Sequence, residues 1–141
     1  ISFSTVNWYE WFVKGVKQSN GGTVLPSMLF FHIPLPESAL AMQNVELGQQ
    51  GLNEKIYGSG KNTGMFAKIK ECGSTIATFS GHDHQNFFQT IYKGVLLTNN
   101  ISCGYNTYGD TKLKGGRIIE LNVNRSDLAL NTYVIKAADL D

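Results

Sequence analysis

Phe79-Ser80-Gly81-His82-Asp83-His84 holds two of the three histidines in this 141-residue chain. The third, His32, closes the apolar run Met28-Leu29-Phe30-Phe31-His32. Neutral imidazole is the commonest nitrogen ligand for zinc, iron and related ions. In an extended backbone, residues i and i+2 point to the same side. His82 and His84 are then expected to hold one ion from one side, or two neighbouring ions with one ring each. Gly81 is expected to let the chain turn sharply before the pair, having no Cβ to clash. Asp83 would point the other way or accept a ring N–H. A lone histidine is more often a hydrogen-bonded structural residue than a ligand. The metal reading therefore requires His32, His82 and His84 to converge.

The elements that must position them are legible in the apolar pattern. Residues 23–33 carry a continuous apolar run without alternation, which predicts a central strand buried on both faces, as in a parallel sheet. Pro34 and Pro36 stop it, leaving His32 at its carboxyl end. Residues 62–72 predict a helix with Gly73 at its carboxyl terminus. Residues 75–80 predict a second buried strand, leading into Gly81-His82-Asp83-His84. Two parallel strands joined through a helix bring their carboxyl ends to one edge of the sheet. That edge is where ligands sit in open α/β sheets.

The remaining elements frame this pair. Residues 5–17 predict a helix with Val6, Tyr9, Val13 and Val16 on one face, widened by Trp8 and Phe12, with Asn7 or Ser4 as its cap. Residues 37–42 predict a short helix. Residues 43–61 show no periodicity, and a loop this long is expected to lie near the site or act as a lid, or to be a solvated insertion. Residues 86–92 and 95–98 flank Lys93-Gly94, a hairpin signal. Residues 116–123 and 129–137 read as two alternating strands.

Composition sets outer bounds. The chain is 42% hydrophobic and 16% charged, enough to bury a core as a single domain or as a piece of a larger one. A net charge of +1 gives no reason to expect nucleic acid or a membrane surface as a partner. No apolar run approaches the roughly 20 residues of a membrane helix. Starting at Ile1 without an initiator Met or signal-peptide pattern, the sequence reads as an excised or processed piece. Cys72 and Cys103 are too few for a disulfide framework; they either pair with each other or are both free, and Cys72 suits a buried thiol at a helix end. The sequons at Asn100 and Asn124 are a weak hint of a secretory route.

Phe31-His32-Ile33-Pro34-Leu35-Pro36-Glu37 and Gly81-His82-Asp83-His84 resemble the last two metal-binding motifs of the calcineurin-like metallophosphoesterases, most of all the purple-acid-phosphatase-related branch. Asn62-Thr63-Gly64-Met65-Phe66, Gly104-Tyr105-Asn106-Thr107-Tyr108-Gly109 with Arg117-Ile118-Ile119, and the opening helix with Trp8, Trp11 and Phe12 are similar to that branch as well. The resemblance spans roughly residues 5–123. It implies an α/β fold, the carboxyl-terminal half of a four-layer α/β/β/α sandwich with mixed sheets, contributing two strands to one sheet and most of the other. Half a sandwich is expected to expose apolar surface.

The resemblance also implies metal-dependent phosphoester hydrolysis in the complete protein. A metal-activated hydroxide would attack a phosphomonoester between two ions (iron, zinc or manganese) about 3.5–4 Å apart. Carried over residue by residue, His32 and His82 would bind one metal and His84 the other. The two aspartates, the asparagine ligand and the catalytic histidine of the family's earlier motifs have no counterpart here, and Gly109-Asp110 cannot stand in for them. No catalytic residue is therefore expected in this chain. Without the bridging carboxylate, two close cations repel with little compensation. The chain alone is expected to hold at most one ion and to turn over phosphoesters poorly or not at all. Its expected partners are a phosphomonoester and the missing amino-terminal half, or a second copy of itself. The other reading is a non-catalytic metal-binding or interaction module that has lost the acidic half of the site.

Overall fold

The computed structural model describes residues 1–42, 51–122 and 129–140. Helix α1 spans Phe3–Ser19. It starts earlier than expected because Ser2, not Ser4 or Asn7, is its cap, the Ser2 hydroxyl accepting from the Thr5 N–H at 3.1 Å. Val6, Tyr9 and Val13 are buried along one stripe. Trp8 and Phe12 do not widen that stripe. They are 54% and 48% exposed and stack on each other at 5.4 Å, one turn apart beside the buried row.

Strand β1 (Ser27–Phe30) leads through helix α2 (Pro36–Ala41) and helix α3 (Met65–Cys72) to strand β2 (Thr75–Ser80). Gly73 closes α3 in the left-handed conformation, its N–H bonding the Ile69 carbonyl. Strands β3 (Gln89–Tyr92) and β4 (Val95–Asn99) form the expected hairpin, with Lys93 and Gly94 both at positive φ. The four make one sheet in the order β1-β2-β4-β3. β1 and β4 run parallel to β2, and β3 runs antiparallel to β4. Strands β5 (Gly115–Asn122) and β6 (Ala129–Lys136) pair separately as an antiparallel ribbon.

The fold of the described residues is thus α/β with a mixed sheet. Four strands share one sheet and two form the other. The main core lies on the helical side, where Val6, Tyr9 and Val13 of α1 meet Phe66 and Ile69 of α3, and Val95 and Leu97 of β4. The Tyr9 hydroxyl reaches Thr75 at 2.8 Å, and burial pushes its pKa up. Glu10 joins Lys68 at 3.0 Å, tying α1 to α3, and Lys14 together with this cation holds the carboxyl below its usual range.

β1 departs from expectation. It is an edge strand, and none of its four residues is fully buried. An unbroken apolar run does not separate a strand covered on both faces from an edge strand with one face open. Phe30 stacks on buried Phe79 at 4.9 Å yet stays 62% exposed. Apolar surface is therefore open along this edge.

The ribbon supplies a sharp test of the pairing. A Cβ built on Gly115 would stand 2.0 Å from the Ile135 carbonyl oxygen, whereas one on Gly116 meets nothing within 4 Å. Gly115→Ala should lower stability by about 1–3 kcal/mol. Gly116→Ala should stay within about 0.5 kcal/mol of the parent. Urea unfolding midpoints of the two variants check this, and equal midpoints would contradict the register.

Candidate metal centre

The parallel pairing continues beyond the strands. The Phe31 N–H donates to the Phe79 carbonyl at 3.1 Å, and the Gly81 N–H donates to the His32 carbonyl at 2.9 Å. These bonds place His32 beside the start of the second histidine segment. His32 Nε2 and His82 Nδ1 lie 3.3 Å apart, with the rings edge to face at 82°. His32 is exposed and His82 half-buried, so both can be reached from solvent.

His84 takes another place. Its ring stacks on Tyr108 at 4.2 Å, and its Nδ1 is 3.4 Å from the Tyr108 carbonyl oxygen. Its backbone N–H donates to the Tyr108 hydroxyl at 3.2 Å, which in turn donates to Glu54 at 3.3 Å. The extended i, i+2 geometry expected for His82 and His84 is absent because the backbone is not extended there. His82, rather than Gly81, takes up the sharp turn, with φ 72°.

Asp83 accepts a backbone N–H and lines the same cleft as the histidines. It is 1% exposed, and its carboxylate accepts the Tyr57 N–H at 3.2 and 3.3 Å. Burial raises its pKa above the usual carboxylate value, against the opposing pull of that hydrogen bond. Asn86 is fully buried; its Oδ1 accepts the N–H groups of Asn53 and Glu54, and its Nδ2 donates to the Glu54 carbonyl. Asn99 Nδ2 donates to the carbonyls of Asp83 and Asn86 at 2.9 and 3.0 Å. Residues 51–57 therefore lie against the histidine loop, as one reading of the long loop expected; residues 43–50 lie outside the described residues.

His32, His82 and His84 line one open cleft of about 210 Å³, together with Asn100, Ser102 and Cys103. The donor chemistry fits an ion at one point, where two imidazole nitrogens converge. Among the described residues, no group of three or more His, Cys, Asp or Glu is arranged to hold a metal ion. Both cysteines are free; Cys72 is half-buried, which raises its thiol pKa, and Cys103 is exposed.

Sequence reasoning gave no role to the residues that hold the cleft in place. Arg117 of β5 sends its guanidinium to the carbonyls of Phe87, Phe88 and Asn99 at 3.0, 3.3 and 3.2 Å, and to Gln89 and Thr132. Burial lowers its pKa to about 10, which leaves it charged at neutral pH. Lys114 is 1% exposed and directs its ammonium at Ser102 and the Tyr108 carbonyl. Cations that act through such contacts carry no periodic signal in a sequence.

Comparison with known proteins follows the same lines. No family model matches the chain, and no solved structure matches it. The chain is 29% identical over 134 residues to the "Probable inactive purple acid phosphatase 14" of Arabidopsis thaliana, a match covering 89% of this chain and 33% of that protein. It is 29% identical over 103 residues to the "Probable inactive purple acid phosphatase 29" (72% of this chain, 26% of that protein). It is 31% identical over 101 residues to the "Probable inactive purple acid phosphatase 28" (71% and 25%), both again from Arabidopsis thaliana. The resemblance lies with the purple-acid-phosphatase-related branch, and the chain is of phosphatase-family origin. The matches span a third or less of the length of these relatives.

Arg117 is the testable anchor of the cleft. Arg117→Leu should cost about 2–4 kcal/mol, the scale of several hydrogen bonds from one charged donor. Arg117→Lys should recover less than half of that loss, because one ammonium cannot reproduce the planar fork. Denaturant unfolding of the three proteins decides it; full recovery by lysine would show that charge alone matters.

Proposed function

We propose that this chain is the histidine-bearing piece of a metallophosphoesterase-type site, and that any phosphomonoester hydrolysis belongs to the complete protein. The observation that carries this reading is the 3.3 Å approach of His32 to His82 at the carboxyl edge of a parallel strand pair. In this reading His32 and His82 hold one ion, and His84, on the other wall of the cleft, serves a second ion in the complete two-metal site. A bound ion of this kind supplies a Lewis acid for a phosphoryl oxygen. The chain's own residues orient the imidazoles: Gly81 and the His32 carbonyl fix one pair, and Tyr108 fixes His84. No catalytic acid or base is assigned in this chain.

The open β1 edge and the exposed face of Phe30 would be covered by the amino-terminal part of the same domain or by a second copy of the chain. A second reading has its own support. The three relatives carry the word "inactive" in their names, and the described residues offer two converging imidazoles while the neighbouring Asp83 carboxylate is engaged by the Tyr57 N–H. On that reading the chain is a non-catalytic metal-binding or interaction module.

Equilibrium dialysis against Zn²⁺, with an assay on para-nitrophenyl phosphate, tests the proposal on the 141-residue chain. We expect at most one ion per chain, loss of that ion in His82→Ala, and no turnover. Two tightly held ions, or turnover by this chain alone, would overturn the half-site account.

A further inference from the structure

Three adjacent parallel strands deliver residues to the same cleft. β1 leads to His32, β2 leads to His82, and β4 ends at Asn99, directly before Asn100. The Asn100 N–H donates to the Ser80 carbonyl at 2.6 Å, fixing Asn100 beside the chain that turns into Gly81 and His82. Ser80 pairs with Asn99 in the parallel register, so this placement is a property of the sheet and not of a loose loop.

The Asn100 side chain is unusual in one respect. Its Oδ1 is buried and has no hydrogen-bond donor. A buried acceptor without a donor is costly, and such groups are rare in folded proteins. This one belongs to a residue that lines the cleft with both converging imidazoles. Amide oxygen is a neutral, hard donor that joins imidazole in binding divalent cations. It also adds no charge.

We infer that Asn100 Oδ1 is an oxygen ligand to the ion held by His32 and His82. The site assigned to this chain alone is thus two imidazoles and one amide oxygen, taken from the ends of three neighbouring strands. The inference rests on the reading that His32 and His82 hold an ion, and the experiment below separates the two.

The test is Co²⁺ titration of the full 141-residue chain, read by affinity and by the visible absorption of the bound ion. Asn100→Leu should weaken Co²⁺ affinity at least about tenfold and shift the absorption bands. Its urea midpoint without metal should stay level or rise, because an unsatisfied acceptor has been removed; a merely structural asparagine would lower it. Asn100→Asp should tighten binding about tenfold by adding a charge. Leucine binding as tightly as the parent, while His82→Ala loses the ion, would overturn the Asn100 assignment and leave the histidine pair standing. No Co²⁺ uptake by the parent chain would sink both. If the leucine variant fails to fold by circular dichroism, the aspartate variant decides, and no gain over the parent counts against the assignment.

Discussion

Everything in the candidate site depends on two backbone hydrogen bonds made after the strands have ended. The Phe31 N–H to Phe79 carbonyl and Gly81 N–H to His32 carbonyl bonds carry the β1–β2 register past Phe30 and Ser80. Side chains alternate between the faces of a sheet, so a slip of one residue would send each of them to the opposite face. His32 would then turn away from His82. The 3.3 Å approach of the two rings is therefore a consequence of register. Register in turn is set by the burial of Ala77, Phe79 and Leu97 against their neighbours.

Beyond that point the backbone leaves the extended region, and hydrogen bonding takes over from burial. His82 sits at φ 72°, a conformation that costs an L-residue roughly 1–2 kcal/mol. The segment tolerates it because the surrounding polar groups over-determine the turn. Asp83 accepts from Tyr57, Asn99 donates to two carbonyls of the loop, and Asn86 straps residues 53–54 onto it. Arg117 reaches across from the separate ribbon to the carbonyls on the far side of the same segment. The result is that His82 is turned toward His32 and His84 toward Tyr108. Two histidines separated by one residue thereby face different partners.

The strand pair, the connecting helix, the hairpin and the ribbon were all readable from periodicity, glycine placement and the Lys93-Gly94 turn. So was the meeting of His32 with His82, because parallel strands with a helical crossover leave little freedom at their carboxyl ends. What was not readable has a common cause. The edge position of β1 depends on what lies beside it, which an apolar run does not state. The split between His82 and His84 depends on a positive φ at a histidine, and glycine at the preceding position drew the turn to the wrong residue. Asn86, Asn99 and Arg117 act through contacts distant in sequence, and isolated polar residues carry no period to betray them.

The central claim is that His32 and His82 share one ion while His84 stands apart. Nitrogen-15 NMR of the imidazole side chains during Zn²⁺ addition tests it most directly. The account predicts that ring signals of His32 and His82 shift together and saturate at one equivalent, with the His84 signal unmoved. If His84 moves in step with the other two, or if none of the three responds, the account is contradicted.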